Sequence, residues 1–246
     1  MIQSHRSPLA VASLAASLLL GSSAAMAATS FTYDFESGTV DAEWSMISPG
    51  SLAVDTTPSG RKFLGLNDSQ NLGFSNDAVK LTLTGLPSYS GFTLSFDLYA
   101  IQSLDGNQFG YGPDLIGATA TSGSLSLPLL HTTFSNIPSY NQSYPGNFFS
   151  SNPAQSGSAE QNSLGYSYFG DSVYQLSFGW GFGQTNAPLE VVFFASGLQG
   201  IGDESWGIDN VRIELSGTPA PVPLPPAVWL LGTGLISLAG IARRNT

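Results

Sequence analysis

The stretch from residue 91 to 101 leaves little choice of backbone. Phe92, Leu94, Phe96, Leu98 and Ala100 alternate without a break against Thr93, Ser95, Asp97 and Tyr99. A side-chain period of two is that of a half-buried antiparallel strand, and a helix could not gather these five residues on one side. Other segments repeat the pattern. Phe31, Tyr33 and Phe35 oppose Thr32, Asp34 and Glu36, and Val79, Leu81 and Leu83 alternate within 78–84. Further strands are expected at 124–130, 173–178, 189–195 and 206–215, separated by turn clusters such as Pro58-Ser59-Gly60, Asp105-Gly106-Asn107 and Gly112-Pro113-Asp114. No body segment sustains a 3.6-residue apolar stripe. The chain therefore reads as all-β, a two-sheet antiparallel β-sandwich of the jelly-roll kind, with its first and last strands paired. Residues 131–170 interrupt the alternation and read as a long insertion loop holding one short strand. Loops of that length are uncommon in compact domains and often functional.

Both ends of the sequence differ from this body. Arg6 precedes an apolar run, Leu9 to Leu20, and Ala25-Met26-Ala27 supplies a small-x-small cleavage site. This is the pattern of a secretory signal peptide over 1–27. The body is then 28–215, roughly 190 residues, enough for one domain with a sizeable core. A Pro-rich spacer, 216–221, leads to a tail at 222–246. The tail opens Val222, Pro223, Leu224, Pro225, Pro226 and continues with an uncharged run from Ala227 to Ala242, before Arg243 and Arg244. Prolines open a helix without interrupting it. Sixteen helical residues rise about 24 Å, and the preceding apolar residues with snorkelling arginines extend that towards a hydrocarbon core of about 30 Å. The arginines mark the cytoplasmic end and leave the body outside.

That tripartite tail resembles the PEP-CTERM sorting signals, in particular the variant beginning VPLPA, with Pro226 in place of the alanine. The resemblance implies recognition by an exosortase at Val222 to Pro226 and at Arg243 and Arg244. It also implies anchoring in the inner membrane of a Gram-negative bacterium before sorting, then release to the cell surface or extracellular matrix.

Composition narrows the chemistry. The body holds four basic residues, Arg61, Lys62, Lys80 and Arg212, against all seventeen acidic ones, a formal charge of −13. Nucleic acid is excluded as a partner, because phosphate contacts need clustered Lys and Arg. Divalent cations suit such a surface better. Without any cysteine there is no thiolate catalysis, Cys-ligated zinc or iron–sulfur cluster. His131 is the body's only histidine, and neither a Gly-x-Ser-x-Gly elbow nor a His-Glu-x-x-His motif occurs. The body is therefore expected not to be an enzyme. A divergent glycosidase, with carboxylates brought together from separate strands, remains a distant alternative.

A second resemblance concerns the body. Its opening, Tyr33-Asp34-Phe35-Glu36-Ser37-Gly38, and its close, residues 202–211, are similar to the first and last strands of jelly-roll carbohydrate-binding modules, MAM-type adhesion domains and PEP-CTERM ectodomains. Further similarity to those ectodomains lies at 100–107, 132–136, 142–145 and 170–174. By uninterrupted alternation Asp209 shares the parity of Val211, Ile213 and Leu215 and faces the core, where a carboxylate must be hydrogen-bonded, paired or metal-bound. The resemblance implies a structural calcium there, shared with Asp34 or Glu36 of the first strand; bonding of Asp209 and Asn210 to turn amides is the alternative. No other cofactor is expected. Aromatics in polar loops, Tyr140, Tyr144 and Tyr168 foremost, suit stacking on sugar rings, and equally suit pinning the long loop. Function is thus expected to be that of an exported, non-enzymatic surface or matrix protein associated with exopolysaccharide, or of a glycan-binding module with its own sugar specificity.

Overall fold

A computed structural model describes residues 29–66 and 72–217. The expected signal peptide, most of the expected spacer and the expected sorting tail lie outside the described residues. Among the described residues, twelve strands form two antiparallel sheets. They are β1 (Thr29–Tyr33), β2 (Trp44–Met46), β3 (Leu52–Thr56), β4 (Lys62–Leu66), β5 (Ala78–Leu83) and β6 (Tyr89–Gln102), then β7 (Leu115–Ser122), β8 (Leu125–Thr133), β9 (Glu160–Gln161), β10 (Asp171–Thr185), β11 (Leu189–Ser196) and β12 (Glu204–Ser216). One sheet runs β3-β4-β12-β6-β10-β9, with β1 also on β12; the other runs β2-β5-β11-β7-β8. The first and last strands pair from Thr29 opposite Leu215 to Tyr33 opposite Val211, so the two ends of the sandwich lie side by side.

The alternation of β6 is used as the sequence dictates. Phe92, Leu94, Phe96, Leu98 and Ala100 enter the inter-sheet core, where they meet Val79, Leu81, Val191, Phe193, Ile116 and Ala118 from the facing sheet. At the centre Phe96 meets Phe193 edge to face, 5.0 Å between centroids. The opposite face of β6 is not uniformly wet. Tyr99 and Ile101 pack with Phe63, Leu72, Leu164 and Val173 in a second apolar cluster under the loops.

β12 departs from its expected parity. Asp209 pairs with Asp97 but Arg212 pairs with Ser95, so three steps along β12 answer two along β6. The extra residue is a β-bulge at Asn210, whose φ of 51° suits the left-handed region that Asn tolerates. Trp206 and Ile208 face the core before the bulge, and Val211, Ile213 and Leu215 face it afterwards. Asp209 does not share their face: it lies opposite, beside Tyr99. Its carboxylate accepts from the Tyr99 hydroxyl at 2.9 Å and the Asn210 amide at 2.7 Å.

Burial raises the Asp209 pKa to about 6, against which the Asn210 and Tyr99 hydrogen bonds work only in part. A carboxyl whose folded pKa lies above its unfolded value contributes stability fully below about pH 4, and that contribution is lost as pH rises through about 6. Asp209→Asn should therefore flatten the fall in unfolding free energy between pH 4 and 7 by up to about 3 kcal/mol. Urea unfolding across that range checks it; identical slopes for wild type and variant would assign the pH dependence to other groups.

Candidate functional site

Four connections converge at the end of the sandwich where β6 stops and β12 begins: residues 103–114, 134–159, 162–170 and 197–203. The longest would be costly to order without internal partners, and it has them. Asn136 donates from Nδ2 to the carbonyls of Ala100 and Gln102, while its Oδ1 accepts from the Ser172 hydroxyl at 2.6 Å. Gln142 is fully buried and makes five side-chain hydrogen bonds. Tyr144 packs its ring on Phe134 and Tyr174, at 5.0 and 5.3 Å. The expected long loop with one short strand, β9, is what forms, and Tyr144 is one of its anchors. The connection after β9 is held from below by Asp171, whose two oxygens accept from the amides of Leu164 and Tyr166.

Between these connections opens a hollow of about 220 Å³, lined by Ser103, Asp105, Tyr111, Ile137, Tyr140, Tyr168, Phe169, Gln199 and Asp203. Tyr111, Tyr168 and Phe169 are about half exposed, and Phe109 on the same loop as Tyr111 stands almost wholly in solvent. Tyr168 and Phe169 meet edge to face, 4.5 Å between centroids, and both keep about half of their surface in solvent. Polar groups line it as well. Ser103 donates to Asp203 Oδ1 at 2.7 Å and to its carbonyl at 2.8 Å. The hollow thus combines planar apolar faces with carboxylate, amide and hydroxyl groups, and no basic residue lines it. A second depression is larger, about 330 Å³, but Ala42, Glu43, Ser45, Thr82 and Thr84 give it no ring and no convergence of unlike groups.

Two of the three expected ligand rings, Tyr140 and Tyr168, thus line one hollow, and Tyr144 does not. Phe169 escaped sequence reading because nothing local separates it from a packing residue. Asp34 and Glu36 are exposed, and Asp34 Oδ1 accepts the Glu36 amide in a local turn. The structure does not gather them with Asp209 at metal-ligand spacing. Among the described residues the carboxylates that do meet so are Asp105, Asp114 and Glu204, beneath the hollow. Burial pushes the Asp114 carboxyl up to about 7, against backbone hydrogen bonds that pull it down. Glu204 is also raised, by burial first and by the neighbouring Asp114 and Asp105 charges. His131 is exposed on edge strand β8 and packs edge to face on Phe148 at 5.0 Å, away from the hollow's lining.

No family model and no curated protein matches the chain. Among solved structures it is similar to the K2 cleaved adhesin domain of Lys-gingipain, at 12% identity over 75% of this chain and 97% of that one, with a TM-score of 0.40. A carbohydrate-binding module specific for non-crystalline cellulose, CBM28, gives 13% identity over 75% and 92%, TM-score 0.38. A family 35 carbohydrate-binding module from Clostridium thermocellum gives 8% over 75% and 97%, TM-score 0.31. Likeness at this level decides nothing about ligand or activity; the two-sheet sandwich stands on the strand pairing itself.

Proposed function

We propose that this chain is an exported, non-catalytic glycan-binding protein that grips a neutral polysaccharide through the hollow at the β6–β12 end. The observation that carries the reading is the set of four rings, Tyr111, Tyr140, Tyr168 and Phe169, lining one hollow together with the polar residues Asp105, Asp203, Gln199 and Ser103. Ring faces stack on the C–H faces of sugars, while carboxylate and amide oxygens accept from sugar hydroxyls. The volume falls below the roughly 300–1,000 Å³ of pockets that enclose a drug-sized ligand, which suits holding one unit of a longer chain from outside. The acidic lining and strongly acidic body disfavour uronic acid polymers, so the ligand is a neutral glycan. The resemblance of residues 1–27 to a signal peptide and of the tail to VPLPA-type sorting signals supports binding at the cell surface or in an extracellular polysaccharide matrix, after sorting by an exosortase.

Affinity electrophoresis through gels holding soluble neutral polysaccharides, with the producing cell's own exopolysaccharide alongside, tests this. Tyr168→Ala and Phe169→Ala should each weaken retention by about 2–12-fold, the equivalent of roughly 0.5–1.5 kcal/mol for one stacked ring. Tyr144→Ala should lower thermal stability instead, because its ring packs on Phe134 and Tyr174. Unretarded wild-type protein on every neutral glycan, or retention that ignores the ring substitutions, would refute the site. Release of reducing ends during the run would refute the non-catalytic part.

A further inference from the structure

Directly under that hollow lies a group of atoms that protein alone does not satisfy. Asp105, Asp114 and Glu204 each present an oxygen, and these oxygens all lie within 4.8 Å of one another. Asp114 and Glu204 are wholly buried and Asp105 is 7% exposed. One oxygen of each buried residue is accounted for. Asp114 Oδ2 accepts from the amides of Asp105 and Gly106, and Glu204 Oε2 accepts from the amide of Gln199. Of the other oxygens, Asp114 Oδ1 is buried without any hydrogen-bond partner, and the buried Glu204 Oε1 has no donor N–H or hydroxyl, only a proton that its carboxyl could share with Asp105.

Ionised carboxylates only accept, so three of them facing one another need something positive between them. The protein does not supply it from its own side chains. The four basic residues among those described are engaged elsewhere: Arg61 with Glu160, Lys80 with Glu190, Arg212 with Glu214, and Lys62 with the Glu36 carbonyl.

We propose that Asp105, Asp114 and Glu204 bind a calcium ion, which ties the β6–β7 connection to the start of β12. The donors are oxygen only, with no nitrogen or sulfur ligand to favour a transition metal. Oxygens about 2.3–2.6 Å from a common calcium lie at most about 4.6–5.2 Å apart, which agrees with the spacing found. Magnesium dehydrates reluctantly and keeps several waters, a poor match to carboxylates this deeply buried. The ion also has a structural task. Asp114 closes the 105–114 connection on itself through the Asp105 and Gly106 amides, and Glu204 holds Gln199 beside Asp203. With calcium in place, the Asp105 side and the Gln199–Asp203 side of the hollow are held in one geometry. The inference does not depend on glycan binding, and its test contains no sugar.

The full chain, stripped with EGTA, is melted with and without millimolar calcium and titrated with terbium, whose luminescence is excited through nearby tyrosines. Calcium should raise the melting temperature by about 5–10 °C when it exceeds its dissociation constant a hundredfold. Terbium emission should saturate and be displaced by calcium, and magnesium should substitute poorly. Asp114→Asn and Glu204→Gln should lose both responses. In EGTA, however, they should melt no lower than wild type, since each removes a buried carboxyl whose ionised form burial and its neighbours penalise. That crossover separates a lost ion from a damaged fold. Asp209→Asn should keep the full calcium response. Equal melting in calcium and EGTA with no terbium signal would overturn the proposal and leave the cluster joined by shared protons. A calcium shift that survives Asp114→Asn and Glu204→Gln, or one abolished by Asp209→Asn, would overturn the assignment to these residues.

Discussion

Gln142→Leu should destabilise the domain by about 3–5 kcal/mol and release the loop that carries Tyr140. Leucine nearly matches the volume of glutamine, so the effect would come from hydrogen bonds and not from a cavity. The Gln142 Oε1 accepts from the amides of Ser135 and Gln155, both at 3.0 Å, and from the Tyr174 hydroxyl at 3.1 Å. Its Nε2 donates to the carbonyls of Tyr144 at 2.9 Å and Ser156 at 3.0 Å. Each buried group left without a partner costs about 1–3 kcal/mol, less whatever the loop recovers by opening to water. Opening is the expected response, because residues 134–159 contain no long strand of their own. Denaturant unfolding measures the global cost. Amide hydrogen exchange at Ser135 and Gln155 measures the local one. A loss under 1 kcal/mol with both amides still protected would show that the loop is held by something other than this carboxamide.

Trp206→Ala should cost about 4 kcal/mol or more, as large aromatic-to-alanine changes in a core do. Trp206 is fully buried, and its ring lies 4.8 Å from that of Phe74. Its indole N–H donates to the Ser75 carbonyl at 2.7 Å, and its backbone pairs with Phe74 in both directions. Truncation therefore opens a cavity and orphans the Ser75 carbonyl at once. Trp206→Phe keeps most of the volume and should cost only about 1–3 kcal/mol, the share of that carbonyl. Both values come from denaturant midpoints at unchanged slope. Equal losses for the two variants would mean that the ring's volume contributes nothing and that the hydrogen bond carries the whole effect.

The inner faces of the strands were legible because a side-chain period of two survives wherever one face is buried and nothing is inserted. β6 shows this over its full core stretch, and β1 and β5 follow it. Asp209 was misread for one physical reason: the bulge at Asn210 adds a residue, which moves the preceding side chains to the other face. β7 carries only a weak signal in the sequence. Gly117 has no side chain, and a Cβ there would come within 2.2 Å of the Phe194 ring. Ala118 and Ala120 fill the inner face with little hydrophobicity of their own. β2 and β9, at three and two residues, are too short to show any period.

Of the site, the loop aromatics were visible as a class, while their division into ring wall and loop anchor depends on where the 134–159 connection folds back. Asp105, Asp114 and Glu204 were invisible as a group. Two of them sit in turn clusters and the third at a strand start, and only the pairing of β12 with β6 brings Glu204 across from Gln102.

The account rests most heavily on the hollow as the place where sugar binds. The most direct measurement is a titration of the isotopically labelled protein with a soluble neutral oligosaccharide, followed by backbone amide chemical shifts. Saturable shifts should fall on residues 103–111, 137–140, 166–170 and 199–203, and should be absent around Trp180 and Phe149, rings outside the hollow's lining that are 47% and 80% exposed. Saturable shifts centred on those other exposed rings, or no shifts with any neutral glycan, would contradict the assignment of this pocket as the binding site.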